Sequence, residues 1–522
     1  METWIMRNIA AAFFLVCCAT GSVVAADAKF THGPILGRLS DSGVGVWARL
    51  SQPGEFYVEY WRQDQGPADK KRSKTALAAL NRDNTGWVEV QGLKPNAKYV
   101  YQLVTAAGTR GLGGVFRTLP NPEDYRDPEL NPRGLFNFNF EFACGNNQHP
   151  DHGLGPTTPT FKTMLDKLRD RVHFSIQNGD WLYEEQREFT PAQWAKQVGI
   201  GAKDAPPVVQ TAPTIVGVWE NYKTYLDRGK NMAAYHRHVP TFFTFDDHEI
   251  LNDVWGAGSP GLRDRRAVYR DVGVQAWYDY LGWSNPVKFK QGIHFGRTSL
   301  KKGDGVLTDP KADFTNLDLE QAGTLHVHWG GATAGVNDNA LDEVGGDPNA
   351  GVYEIVEILD KNRLKISPVP KDTTDVTYSI GRRSYYRLRV SNCDFFVTDT
   401  RSHREMHDTK QPDKPGLSIL GPRQKKWLLD GMKSSDADFL FVVSSVNFMI
   451  PHVGGGKVRA TNKDDAWTVF FDEREQLIQA FDKIGKPVMV LTGDLHNSFV
   501  IKITDRVWEC ASGPHNSNNH WS

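Results

Sequence analysis

The sequence predicts an α/β protein in two parts. A small all-β domain covers about residues 27–120, and an α/β domain over residues 121–522 carries a β insertion at about 292–387. Three observations predict this. Short alternating runs separated by turn residues recur from Phe30 to Pro120 at the spacing of a β-sandwich. The stretch PNPEDYRDPELNPRG (Pro120–Gly134) holds four prolines, has no periodicity and reads as a linker. Beyond it, strand patterns and helix patterns alternate. A length of 522 residues exceeds one ordinary domain. With 39% hydrophobic and 24% charged residues the composition is globular, and Lys+Arg 61 against Asp+Glu 62 leaves no basic excess for nucleic acid.

Residues 1–26 have one Arg, an apolar run from Ile9 to Ala19, and small residues ending Val24-Ala25-Ala26. That is the layout of a secretory signal cleaved near Ala26, so a periplasmic or secreted protein is expected. The apolar run is short for a membrane span, and no other segment approaches one, so no transmembrane span is expected in the mature chain. In the β domain, Val44–Leu50 and Phe56–Trp61 alternate. The stretch GLKPNAKYVYQL (Gly92–Leu103) resembles the corner of a fibronectin type III module, with a Gly-Leu-x-Pro turn before Tyr-x-Tyr.

In the α/β part, FNFNFEFA (Phe136–Ala143), VHFSIQ (Val172–Gln177), TFFTF (Thr241–Phe245), DFFVT (Asp394–Thr398), DFLFVV (Asp438–Val443) and PVMVLT (Pro487–Thr492) read as strands. Phe161, Met164, Leu165 and Leu168 share one face of a helix after a Thr/Pro start, and a second helix begins at Gly421-Pro422 and carries Trp427, Leu428 and Met432. Between Gly292 and Arg387 this rhythm stops. The segment is rich in Gly and Asp with short alternations such as Val352–Val356, and reads as a small β insertion.

Five strands run into possible ligands: Cys144 in ACGNN, Asp180 and Tyr183 in NGDWLYE, Asp246 to Glu249 in DDHE, Asp399, Arg401 and Arg404 in DTRSHR, and Asp494 and His496 in TGDLHNS. In α/β sheets the crevice beyond the strands' carboxyl ends binds ligands. Carboxylates converging there repel unless cations hold them, so a dinuclear metal site accounts for the pattern. Taken singly, each motif has a plainer reading: Gly-Asp as a turn, DDHE as an acidic helix start. Five cysteines reduce to Cys144, Cys393 and Cys510 in the mature chain, so at least one thiol is unpaired within it and is either buried or on a metal. GGGK (Gly454–Lys457) lacks the Ser/Thr of a P-loop, the acidic loop 337–347 lacks EF-hand spacing, and no G-x-S-x-G is present. His149, His403, His407, His452 and His515 lie near the motifs and read mostly as surface or supporting residues.

The order GDWLYE, DDHE, GDLH resembles the metallophosphoesterase superfamily, whose β-sandwich is flanked by helices. The finer details are similar to the alkaline phosphatase D family: a cysteine in the first motif, Tyr three residues after the bridging Asp, DDHE, DTRSxR and a final Asp-x-His, with a fibronectin-like domain in front. The resemblance covers about Phe30 to His515 apart from the insertion. It implies that Asp180 bridges two metals, that Cys144, Tyr183 and His496 complete a ferric site, and that Asp247 and Asp494 hold a second, harder cation, calcium by family similarity, with other divalent cations such as Mg2+ as alternatives. It also implies that His248 protonates the leaving group or steadies phosphoryl oxygens, and that Arg401 clamps phosphate. A thiolate and a phenolate suit Fe3+, and carboxylates suit Ca2+.

The expected activity is hydrolysis of phosphate monoesters or diesters, on small-molecule or lipid substrates, by attack of a metal-held hydroxide. The rivals are a dedicated phosphodiesterase and a catalytically silent secreted binding protein. Three departures stand out. The family more often has Ser before the cysteine and Gln after it, SSVNFM (Ser444–Met449) offers Ser or Asn447 where a ligand histidine is common, and no twin-arginine pair precedes the apolar run.

Overall fold

The computed structural model describes residues 28–151, 153–252, 270–286, 292–327, 348–349, 351–405, 416–455 and 466–521. The expected export segment 1–26, the acidic loop 337–347, His407 and the end of GGGK lie outside the described residues.

The chain is mixed α and β. Its first strands form two antiparallel sheets. One holds Phe30–Gly37, Gly43–Leu50 and Thr85–Gln91; the other is built on Gly54–Arg62, Lys98–Thr105 and Arg110–Arg117. Two further sheets carry the functional residues. The first runs in the order Thr241–Thr244, Phe174–Asn178, Phe140–Asn146, Pro514–Asn516, all parallel. The second includes Cys393–Val397, Phe439–Ser444, Val488–Thr492 and Val507–Ala511, parallel to one another, with antiparallel edges at Tyr386–Val390 and Phe499–Lys502. Strands such as Thr241–Thr244, Cys393–Val397, Phe439–Ser444 and Val488–Thr492 are rich in aromatic and β-branched residues, the side chains that suit a doubly covered sheet.

Phenylalanines join the two sheets. Phe395 and Phe441 stack at 4.5 Å, Phe140 meets Phe395 edge-on at 5.1 Å, and Phe140 stacks on Phe174 at 5.6 Å. Each such pair adds about 0.5–1.5 kcal/mol beyond the area it buries. The alternation from Phe136 predicts a strand, yet pairing begins only at Phe140, opposite Phe174. Upstream, Phe136 packs on Tyr125 and its N–H goes to Ser391 Oγ, so this end follows the β domain's linker instead of the sheet.

Helices Ile215–Arg228 and Arg270–Tyr280 have no counterpart in the sequence reading. Helix Arg270–Tyr280 is buried on nearly every side, which erases the polar face that reveals a helix. The segment from His294 to Arg382 forms a sheet of its own, with its own core around Leu300, Phe314, Leu325, Tyr353 and Ile380. A buried charge cluster ties the β domain to the α/β part. Asp83 lies 3.0 Å from Arg49 and 3.4 Å from Lys223, and it also accepts from Trp194 (2.8 Å) and Tyr280 (2.5 Å).

Candidate metal centre

Because the central strands are parallel within each sheet, their carboxyl ends lie on one edge, and the motif residues follow those ends, except Cys144, which lies within strand Phe140–Asn146 near its end. The turns after them are tight. Asp180, Asp494 and His496 take left-handed backbone angles (φ 53°, 61° and 57°), which non-glycine residues adopt at a cost of order 1 kcal/mol. Glycines make the room: a Cβ at Gly179 would stand 2.6 Å from Asp246 Cβ, and one at Gly145 would stand 2.7 Å from His496 Nε2.

Two overlapping groups result. In the first, Tyr183 OH is 3.2 Å from Asp180 Oδ2 and 3.1 Å from His496 Nε2, and His496 Nε2 is 3.3 Å from Asp180 Oδ2. Donor atoms around one small cation sit roughly 3 Å apart when each is about 2.0–2.2 Å from it. Cys144 is wholly buried beside them, its Sγ 3.6 Å from the Ser512 carbonyl; burial, then Asp180, push its thiol well above the usual range. Cys144, Cys393 and Cys510 are all free thiols. In the second group, one carboxylate oxygen from each of Asp180, Asp246, Asp247 and Asp494 lies within 4.8 Å of all the others. Two like charges 4 Å apart at a partly screened site repel by about 4 kcal/mol, so the four need cations or protons. Burial, then Asp247 and Asp246, push the Asp180 carboxyl well above the carboxylate range, against the pull of His248. Among the described residues, buried Asp180 Oδ1 and Asp246 Oδ2 have no hydrogen-bond partner. Unsatisfied buried oxygens converging with three further ligand types fit bound cations.

His496 is prepared as a ligand. Burial holds its imidazole down to about 3, so the ring is neutral, and Nδ1–H donates to the Asn518 carbonyl at 2.8 Å, leaving the Nε2 lone pair inward. His248 is prepared differently. Its Nδ1–H donates to Glu184 Oε2 at 2.8 Å and its ring lies 3.8 Å over Tyr183. Burial opposes the charged ring, but Glu184, Asp247 and Asp180 outweigh it and hold the imidazolium well above the usual histidine range.

Several motif residues support the site from behind. Glu249, in DDHE, accepts the backbone N–H groups of Asp180 (3.1 Å), Trp181 (2.7 Å) and Asp246 (2.8 Å), bracing two strand ends together. Asp399 accepts from Arg401 N and Ser402 N and shapes its own turn. Arg401 is wholly buried behind the carboxylates, its Nε 2.5 Å from Asp246 Oδ1, where Ser445 also donates. Arg404 is likewise buried, its Nε on the Thr400 carbonyl. Two residues read from sequence as peripheral or not at all stand at the centre. His452 Nδ1 is 2.9 Å from Asp494 Oδ2, and the His520 ring lies 4.8 Å from His452 and 4.2 Å from His496. His452 comes from an irregular segment and His520 from the two-residue strand His520–Trp521, too short to leave a pattern in the sequence. His149 is partly exposed, and His515 pairs with Glu141 at 2.8 Å.

The fold and site define a mixed α/β protein with a carboxylate-rich candidate metal centre at its strand ends. The chain belongs to the PhoD-like phosphatase family: that family's model matches residues 139–299 and 367–521, and the model of the PhoD-like phosphatase N-terminal domain matches residues 17–120. Over 490 residues it is 21% identical to the alkaline phosphatase D of Bacillus subtilis (strain 168), covering 90% of this chain and 65% of that protein, just under two thirds of its length. The solved structure of PhoD has a TM-score of 0.57 at 17% identity, covering 94% of this chain and 78% of that one, a likeness of fold. The purple acid phosphatase PPD1 from yellow lupin (Lupinus luteus) seeds has a TM-score of 0.46 at 10% identity, covering 94% and 65%. Among the described residues no helix is long and apolar enough to cross a membrane.

Proposed function

We propose that the protein is an exported, metal-dependent phosphoesterase that hydrolyses phosphate monoesters, diesters or both. The observation that carries this reading is the convergence of Asp180, Asp246, Asp247 and Asp494, with two buried oxygens left unsatisfied, beside a neutral His496. Cations held there would neutralise phosphoryl oxygens and lower the pKa of an attacking water. We assign Asp180 to bridge two cations, Cys144, Tyr183 and His496 to a ferric ion, and Asp247 and Asp494 to a calcium ion, as the donor chemistry favours. His248, charged and aligned by Glu184, gives its Nε2 proton to the departing alkoxide oxygen. Arg401 is assigned here to hold Asp246 and Asp247 in place, because its guanidinium is buried against them and not open to a phosphate. The β domain is read as a fibronectin-like sandwich, residues 1–26 as an export signal, and the 292–387 insertion as part of the rim that sets substrate size.

The test compares hydrolysis of p-nitrophenyl phosphate with that of its bis-ester, after chelation and after adding back iron and calcium. Activity that returns only with metal supports the reading. An intact fold with no hydrolysis under any added metal would favour the binding-protein alternative, and turnover of the bis-ester alone would favour a dedicated phosphodiesterase.

A further inference from the structure

A cavity of about 610 Å³ lies where the inserted sheet meets the α/β part, and none of the four clustered aspartates lines it. Its size falls in the range of small-molecule sites. One wall belongs to the insertion and is mostly apolar, with Leu319, Val352 and Ile355. Those residues fall between 300 and 366, the stretch that the family model leaves unmatched. The lining is also cationic: Arg383 at the C-terminal end of the insertion, Arg423 at the start of the helix Gly421–Ser434, and His403.

The two guanidiniums are not neutralised. Arg383 donates from Nε to the Tyr385 carbonyl (3.4 Å) and lies over the rings of Tyr385 (4.4 Å) and Trp427 (5.3 Å). Arg423 reaches across the seam and donates to the Leu319 carbonyl at 2.7 Å. Among the described residues neither meets a carboxylate within 4.0 Å. His403 Nε2 is buried with no hydrogen-bond partner among the described residues. Two carboxylates also line the cavity, but Glu354 and Glu405 are both exposed, and Glu405 Oε2 already accepts the Ser418 N–H at 2.6 Å. The hydroxyl on the apolar wall, Thr324, is engaged by His326 Nε2 at 2.9 Å.

We propose that this cavity is a second ligand site, for a small organic anion with a flat or apolar body. The carboxylate or phosphoryl group sits between Arg383 and Arg423 beside His403, and the body lies against Leu319, Val352 and Ile355. This site is independent of the phosphoesterase reading, because none of its residues belongs to the carboxylate cluster.

The test is calorimetric titration of the full-length protein with benzoate and with phenylphosphonate, with inorganic phosphate and benzyl alcohol as probes that have only the charge or only the body. One of the two aromatic anions is expected to bind one-to-one, more tightly than either partial probe; which one binds tells carboxylate from phosphoryl recognition. Losing a charge-assisted contact weakens binding by about tenfold or more. Arg383→Gln with Arg423→Gln should therefore weaken it at least that much, whereas Asp247→Asn should leave it unchanged. Ile355→Trp, which fills the cavity from a half-buried strand position, should also weaken it and decides the matter if the arginine variant does not fold. The proposal is overturned if neither aromatic anion binds, if binding survives both changes at the cavity, or if Asp247→Asn alone abolishes it.

Discussion

As the proposed general acid, His248 needs its ring held, and Glu184 Oε2 lies 2.8 Å from its Nδ1. His248→Ala should keep the bound metals and lose roughly 10²–10⁴ in kcat, the usual range for a general acid. Glu184→Gln should lose part of that, and the double variant should be no worse than His248→Ala alone, since both changes remove one device. A double variant that loses the product of the two single effects would separate Glu184 from His248. Asp180→Asn should release metal and activity together, read by elemental analysis. The pairing of Tyr183 with Cys144 bears on the colour of the protein: a ferric site there should tint it, a strong reductant should bleach it, and Tyr183→Phe should weaken or shift the band. A colourless protein that is fully active would remove iron from the assignment. Most of these residues were legible in the sequence because each follows a strand that announces itself. Glu184, His452 and His520 were not, because what brings them in is a hydrogen bond or a ring contact across the fold, and neither leaves a pattern along the chain.

The same contrast holds for whole elements. Strands such as Val488–Thr492 and Phe439–Ser444 could be read directly, because a continuous apolar run bounded by Pro, Asp or Gly has few other fates. Helix Arg270–Tyr280 could not, because it buries Arg270, Asp271 and Asp279 along with its apolar residues. Asp271 explains part of that burial. Its Oδ2 accepts from Ser379 Oγ at 2.5 Å and lies 2.7 Å from His326 Nδ1, both in the inserted sheet. Replacing the insertion by a short linker strips Asp271 of these two partners. The deleted protein should keep its cations but unfold at lower denaturant, and Asp271→Asn in the same background should recover part of the loss, since an uncharged amide costs less to leave unpaired. A changed ratio of monoester to diester turnover would place the insertion at the substrate rim, whereas loss of metal would make it part of the centre.

For the molecule as a whole, Asp83 is the joint. Burial alone would raise its carboxyl, but Arg49 and Lys223 outweigh it and hold it below the usual range. A carboxylate with a depressed folded pKa adds stability that is complete above its unfolded value of about 3.9 and is lost as pH falls below it. Wild type should therefore lose this contribution as pH falls below about 4, and Asp83→Asn, already weakened by about 3–5 kcal/mol, should show a flatter decline in denaturation midpoint below that pH. Equal slopes would assign the acid sensitivity elsewhere.

Near its end the chain crosses between sheets: strand Val507–Ala511 belongs to one and strand Pro514–Asn516 to the other, beside Cys144. Asp180 and His496, which share the first cation group, are 316 residues apart. A ribosome that has released the first half of the protein has exposed three acidic residues of the centre but neither Asp494 nor His496. Such a nascent chain can offer a passing metal only a weak, partial grip. On the proposed reading, high affinity needs the segment that carries Asp494 and His496, so the order of synthesis works as a clock that postpones metal capture until that segment has emerged.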